Sequence, residues 1–209
     1  MIFKHYIWDF DGTLFDTYPV MVSTFIDLLK EYGFTESYDK VFKLMKESVT
    51  CAVNYSREKF NLNDDFFEKF NIYLKETEKD NIKPFDGIIN LCNEIVTNNG
   101  KNYLVTHRRN SVYYFLDKFK ILDCFSEIIC KKNNFPKKPD PQSINYLLNK
   151  YSINPNDSVM IGDRDIDILA GKNAGIHTLY FTNGDLNLDI AEYNINNFSE
   201  MFDTLNITR

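Results

Sequence analysis

The sequence predicts an α/β fold, a parallel sheet with helices on both faces, into which a small helical bundle is inserted. Three observations carry this expectation. Short β-rich apolar runs recur along the chain and end at polar residues. Helical patterns separate those runs, which is how strands joined by crossover helices read. One long stretch, Asp16 to Lys83, shows helical periodicity with no strand-like alternation.

In chain order, Ile2 to Trp8 is the first strand, and it runs into the acidic corner D-F-D-G-T-L at Asp9 to Leu14. The excursion from Asp16 to Lys83 is too long for a crossover. Met21, Phe25, Leu28, Leu29 and Tyr32 make one apolar stripe ending at Gly33, and Phe66, Phe67, Phe70, Tyr73 and Leu74 make another. Two such stripes need each other, so the insert reads as a second, all-helical domain. Its exits, Phe15 to Pro19 and Asn81 to Pro84, are where a hinge would sit, and Lys46 to Tyr55 reads as a loop that selects the ligand.

Beyond the insert, Asp86 and Gly100 bracket Ile88, Leu91, Cys92, Ile95 and Val96 at helical spacing. Strands follow at Asn102 to Thr106, Glu127 to Cys130, Ser158 to Gly162 and His177 to Phe181. Asp140-Pro141 reads as an N-cap with Pro at the first helical position, and Gly175 ends the helix Ile166 to Ala174. The whole is a Rossmann-like core of residues 1–15 and 84–209 interrupted by the helical domain of residues 16–83.

Composition narrows the function classes. The chain has 209 residues, 44% hydrophobic and 26% charged, enough for a packed core, which excludes disorder and a small disulfide scaffold. Thirty acidic against 24 basic residues leave a net charge of −6, which disfavours nucleic acid as a partner because phosphate backbones call for excess Lys and Arg. Cys51, Cys92, Cys124 and Cys130 form no C-x-x-C pair, so they read as reduced thiols in a cytoplasmic protein. No signal-like N-terminus and no run of eighteen apolar residues occur, so neither secretion nor membrane insertion is expected.

The polar residues at the strand ends carry the chemistry. Asp9 and Asp11 follow the first strand, Thr106 ends the second, Lys138 comes after the third, and Asp163 and Asp167 follow the fourth. In a parallel sheet the carboxyl ends open on one crevice, so these distant residues share a site. Clustered carboxylates repel unless a cation sits among them, and hard oxygen ligands with open coordination positions suit Mg²⁺. An aspartate beside such a cation, with Thr and Lys at hand, is equipped to attack a phosphoryl group.

Four segments, D-F-D-G-T-L, V-T-H at Val105 to His107, K-P-D-P at Lys138 to Pro141 and I-G-D-R-D-I-D at Ile161 to Asp167, resemble in order and placement the haloacid dehalogenase superfamily of phosphohydrolases. The insert resembles the helical cap of the subgroup that includes phosphoglycolate phosphatases and β-phosphoglucomutases. The resemblance implies Asp9 as the nucleophile that forms an aspartyl-phosphate and Asp11 as the general acid and base. It further implies Mg²⁺ held by the Asp9 carboxylate, the Asp11 backbone carbonyl and Asp163, with Asp167 orienting the site or its lysine. Thr106 and Lys138 would hold phosphoryl oxygens, Gly12 would let backbone approach them, and His107 would touch phosphate or substrate or else be satisfied by hydrogen bonds.

Plainer roles exist for several of these residues. Thr106 and Asp163 would also suit helix N-caps, Asp165 reads as a solvated first-turn acid, and Lys131, Lys132 and Lys137 as a solvated loop. The resemblance implies a Mg²⁺-dependent phosphatase of a small phosphorylated metabolite; phosphoglycolate, sugar phosphates and nucleoside monophosphates all remain open. A phosphomutase is the alternative, although F-D-T-Y-P-V-M at Phe15 to Met21 lacks the hinge histidine of such enzymes. Asp11 argues against dehalogenases and phosphonatases, which lack a second acid at that position. A receiver-like signalling module would carry its acceptor aspartate on a later strand and would lack the insert. A non-catalytic phosphate-binding protein on this fold is disfavoured because every motif residue is present.

Overall fold

The computed structural model describes residues 3–184 and 186–205, so Ile2, the start of the first expected strand, lies outside the described residues. Along the chain, β1 (His5–Trp8) and the short β2 (Phe15–Asp16) precede four helices, α1 (Tyr18–Glu31), α2 (Tyr38–Glu47), α3 (Val49–Phe60) and α4 (Asp64–Asn81). Then come β3 (Lys83–Pro84), α5 (Ile88–Thr97), β4 (Lys101–Val105), α6 (Ser111–Lys118), β5 (Phe125–Ile129) and α7 (Gln142–Lys150). The chain continues through β6 (Ser158–Gly162), α8 (Asp165–Asn173), β7 (His177–Phe181), β8 (Tyr193–Ile195) and α9 (Phe198–Thr204). It divides into two compact units, Met1–Phe15 with Pro84–Arg209, and Asp16–Lys83.

The larger unit is built on a six-stranded sheet in the order β5-β4-β1-β6-β7-β8, with every neighbouring pair parallel. The chain works outward from β1 to one edge and then returns to build the other side. That makes β1 the place where the strand order reverses and a crevice opens beyond the strand ends. Ile7, Tyr103 and Met160 face Ile144 and Leu147 of α7 and Ala170 of α8, while Trp8 and Phe181 on the opposite face meet Phe198 of α9 at ring centroids 6.2 and 4.4 Å apart. Burial on both faces explains the nearly continuous apolar sequence of the strands.

The expected strands are present, with β4 and β5 each starting and ending one or two residues early. The third strand starts at Phe125, whose side chain is buried. Strand β8 carries no sequence signal, being three residues of which Asn194 is polar, and it is fixed by tertiary pairing with β7 and by the Thr182 N–H bond to the Ile195 carbonyl at 2.8 Å.

Helix ends differ from expectation in physically simple ways. Gly87 at φ +86°, and not Asp86, is the N-cap of α5. At its other end Asn99, not Gly100, takes the left-handed conformation at φ +64°, while the Gly100 N–H reaches back to the Ile95 carbonyl. Pro141 stands at the N-cap of α7, one residue later than expected, and Asp140 still accepts the Gln142 N–H at 2.9 Å.

In the helical unit, Phe25 of α1 meets Phe66 and Phe70 of α4 edge-on at 5.4 and 5.0 Å. Each such buried ring contributes about 1.5–3 kcal/mol relative to exposure. Tyr32 lies past the end of α1 and is 38% exposed, so the first stripe buries one residue fewer than its periodicity implies. The segment Lys46 to Tyr55 is not a loop, because Ser48 alone separates α2 from α3. Its N–H closes α2 on the Leu44 carbonyl, and its Oγ accepts the Cys51 N–H to open α3. All four cysteines are free thiols, and among the described residues no helix is long and apolar enough to cross a membrane.

Candidate active site

Strand register assembles the site. Trp8 is aligned with Leu104 on one side and Ile161 on the other. Asp9, one residue beyond, and Thr106 and Asp163, two residues beyond, therefore emerge close together from the ends of three adjacent strands, and the Asp9 N–H binds the Ile161 carbonyl at 2.9 Å. Asp167 enters from the first turn of α8. Carboxylate oxygens of Asp9, Asp163 and Asp167 lie within 4.8 Å of one another, and all three residues are buried.

Lys138 stands among them with a side chain 1% exposed. Its Nζ is 2.5 Å from Asp9 Oδ1 and 2.5 Å from Asp167 Oδ1, and it also donates to the Val105 carbonyl at 3.0 Å. Burial alone would lower the Lys138 ammonium, but the carboxylates of Asp167 and Asp9 outweigh it and hold the pKa above the ordinary value. Asp9 is pushed up to about 6 by burial, reinforced by Asp167 and Asp11 and opposed by Lys138 and Arg164. An ammonium shared by two carboxylates is an ordering device as well as a charge.

The other residues singled out in the sequence fall as follows. Thr106 does not cap α6; its Oγ1 accepts the Arg108 N–H at 3.1 Å. Asp163 does not cap α8, and its Oδ1 accepts the Thr13 hydroxyl at 3.2 Å. Gly12 turns the loop at φ +73°, a left-handed conformation that suits glycine, and its N–H is taken by the Phe15 carbonyl at 2.9 Å. His107 Nε2 accepts the Lys138 backbone N–H at 2.9 Å, so this ring orients the lysine's loop. Burial, then the charges of Lys138 and Arg164, lower the His107 pKa to about 4, which keeps Nε2 free to accept. Asp165 and Lys131, Lys132 and Lys137 are exposed, in keeping with solvated roles.

Asp11 is placed differently from the other acids. Its carboxylate turns to Arg108, whose Nε donates to both oxygens at 2.7 and 3.0 Å. Sequence reasoning missed Arg108, since in V-T-H-R-R nothing distinguishes it from Arg109 before the loop is folded. It also passed over Thr13, and over Gly162, where an added Cβ would run into the Asp167 side chain.

The donor set fits a divalent cation of the hard kind. Three buried carboxylates converge, Lys138 offsets one of their charges, and every donor is oxygen, the ligand type that Mg²⁺ takes. Lys138 stands at one oxygen of Asp9, whereas Lys138 and the Arg164 N–H between them stand at both oxygens of Asp167, which leaves Asp9 and Asp163 with more open carboxylates. An aspartate held beside a cation site, a lysine and a threonine hydroxyl can act as a nucleophile towards an anionic electrophile.

A model of haloacid dehalogenase-like hydrolases matches residues 6–181. The pyrophosphatase PpaX of Oceanobacillus iheyensis is 27% identical over 181 residues, covering 85% of this chain and 83% of that protein. A phosphoglycolate phosphatase of Vibrio vulnificus is 27% identical over 200 residues, covering 85% and 82% respectively. Among solved structures, a hydrolase from Streptococcus pneumoniae TIGR4 is similar with a TM-score of 0.73 and 31% identity, covering 99% of this chain and 100% of that one.

Proposed function

The chain belongs to the haloacid dehalogenase-like hydrolase family, and from that premise we propose that it is a Mg²⁺-dependent phosphatase of a small phosphorylated metabolite. The observation that carries this reading is the meeting of Asp9, Asp163 and Asp167 within 4.8 Å around the buried Lys138 ammonium. Relatives named pyrophosphatase and phosphoglycolate phosphatase support it and make pyrophosphate and phosphoglycolate the first substrates to try.

In this reading an Asp9 carboxylate oxygen attacks phosphorus, the bond from phosphorus to the leaving oxygen breaks, and Asp11 gives that oxygen its proton. Asp11 then takes a proton from water as the water oxygen attacks the aspartyl-phosphate, which frees Asp9 and releases inorganic phosphate. Lys138 holds the attacking carboxylate and a phosphoryl oxygen in line, and Thr106, whose Oγ1 already accepts from Arg108, turns its own proton to another. Asp9, the Asp11 carbonyl and Asp163 would hold Mg²⁺, which when bound would supply charge neutralisation for the phosphoryl group. His107 fixes the Lys138 backbone, and Asp167 fixes its ammonium. The residues that carry this chemistry all belong to the larger unit, Met1–Phe15 with Pro84–Arg209.

The test is release of inorganic phosphate from a panel of phosphate esters and pyrophosphate with Mg²⁺ present. Turnover by the wild type and none by Asp9→Asn supports the reading. Equal turnover by both proteins would remove Asp9 as the nucleophile.

A further inference from the structure

We propose that Thr13 is a positioning residue for the cation site, its hydroxyl holding the Asp163 carboxylate beside Asp9 so that the oxygen donors are gathered before a cation arrives. The inference rests on the Mg²⁺-dependent reading above and adds to it a residue that is not itself a ligand. Thr13 Oγ1 donates to Asp163 Oδ1 at 3.2 Å, across 150 residues of sequence. Thr13 is 0% and Asp163 1% exposed. A hydroxyl so buried cannot turn to bulk water instead, and its acceptor is a carboxylate, which makes the stronger class of hydrogen bond.

The loop presents that hydroxyl on a fixed backbone. The Phe10 carbonyl accepts the N–H groups of Thr13, Leu14 and Phe15 at 3.4, 3.1 and 3.0 Å, and the Gly12 N–H returns to the Phe15 carbonyl at 2.9 Å. The Phe10 and Phe15 rings stack at 4.6 Å, and each lies 6.1 Å from the ring of Phe115. A β-branched side chain on such a turn has few rotamers open to it. Asp9 leads into this turn and Asp11 lies within it, and they bear the other two proposed ligands, a carboxylate and a backbone carbonyl. Thr13 therefore ties the donors that follow β1 to the one that follows β6.

Charge explains why a hydroxyl serves there. Carboxylate oxygens of Asp9, Asp163 and Asp167 lie within 4.8 Å of one another, a range at which like charges push apart. The Lys138 ammonium answers two of them, standing 2.5 Å from an oxygen of Asp9 and 2.5 Å from one of Asp167. Thr13 meets the third with an aimed donor in place of a charge. A neutral donor restrains a carboxylate without neutralising it, so the negative charge stays available to a cation. A second ammonium at that point would compete with the cation it was meant to help.

The test crosses hydroxyl against size at position 13, with Mn²⁺ as the probe. Mn²⁺ takes the same carboxylate, carbonyl and water ligands as Mg²⁺, and its free form is counted by electron paramagnetic resonance. Thr13→Ser keeps the hydroxyl and loses a methyl, Thr13→Val keeps the volume and loses the hydroxyl, and Thr13→Ala loses both. Affinity for the Mn²⁺ that Mg²⁺ displaces should follow the hydroxyl. Thr13→Ser should bind within about threefold of wild type, and Thr13→Val and Thr13→Ala ~10-fold or more weakly, the lower end of what loss of a ligand's orienting partner costs. In phosphate release, Thr13→Val should need about 10-fold more Mg²⁺ for half-maximal rate, with kcat recovering towards wild type at saturation. A role in packing alone would sort the proteins by size, Thr13→Val binding like wild type and Thr13→Ser like Thr13→Ala, and that order overturns the inference. Equal affinities overturn it too. Should Thr13→Val not fold, the comparison of Thr13→Ser with Thr13→Ala decides by itself. Wild type that binds no Mn²⁺ removes the metal and this inference together, whereas wild-type binding that the hydroxyl does not alter removes only the role of Thr13.

Discussion

Asp167 occupies the space that a side chain at Gly162 would fill, because a Cβ built on Gly162 meets Asp167 Cβ, Cγ and Oδ2. The last residue of β6 is thus bare so that the first turn of α8 can bring a carboxylate down to Lys138. Gly162→Ala must displace Asp167, and with it the lysine that Asp167 shares with Asp9. We expect phosphatase turnover to fall by about 10²-fold or more, on the scale of a misplaced catalytic group. A kcat within twofold of wild type would show that Asp167 does not set the position of Lys138.

Trp8 Nε1 donates to Asn102 Oδ1 at 2.9 Å, and the Asn102 amide donates to the carbonyls of Cys92 and Cys124 at 3.0 and 3.3 Å, all in the core. Asn102→Leu leaves the indole N–H and these carbonyls buried without that partner. Loss of about 2–4 kcal/mol of stability is expected from several unsatisfied groups. Urea denaturation of the two proteins measures it, and equal midpoints would refute the claim.

His107 is neutral in the folded protein because burial and the charges of Lys138 and Arg164 hold its pKa at about 4, below the ordinary value of 6.5. The unfolded chain therefore binds this proton more readily, so the ring costs no stability above pH 6.5 and takes stability away as pH falls from 6.5 towards 4. Protonation also removes the acceptor for the Lys138 N–H. In His107→Gln, which can still accept there, stability should decline less between pH 7 and pH 4.5 than in wild type. Parallel declines would show that another group controls acid sensitivity.

Asp11→Asn keeps the size of the side chain but cannot shuttle a proton, so turnover on esters with poor leaving groups should drop ~10²–10⁴-fold. An aryl phosphate with a good leaving group needs less protonation and should lose less. A uniform loss across leaving groups would assign Asp11 to positioning instead.

Chelation by EDTA should silence the enzyme reversibly, with activity returning on addition of Mg²⁺. Asp163→Asn should raise the Mg²⁺ concentration needed for half-maximal rate, by roughly the 10–100-fold that loss of a metal-site interaction costs. Full activity in excess chelator would rule out the metal.

The amino-acid sequence by itself determined the parallel α/β core, the helical insert and the set of polar residues at the strand ends. Short, nearly continuous apolar runs and helical stripes are local signals, and a parallel sheet collects strand ends at one edge whatever lies between them. Register brings Asp9, Thr106 and Asp163 together at the strand ends because Trp8 pairs with both Leu104 and Ile161, which sets Thr106 and Asp163 one residue beyond the level of Asp9. Sequence could not show the direction in which each polar side chain turns. Only tertiary structure decided that Lys138 bridges Asp9 and Asp167, that His107 accepts from the Lys138 backbone, and that Asp11 faces Arg108. The short β8 and the one-residue junction at Ser48 were likewise beyond it, since three mixed residues and a single serine carry no period. A side chain's direction depends on which charges lie within about 4 Å, and chain folding alone brings those charges together from residues far apart in sequence.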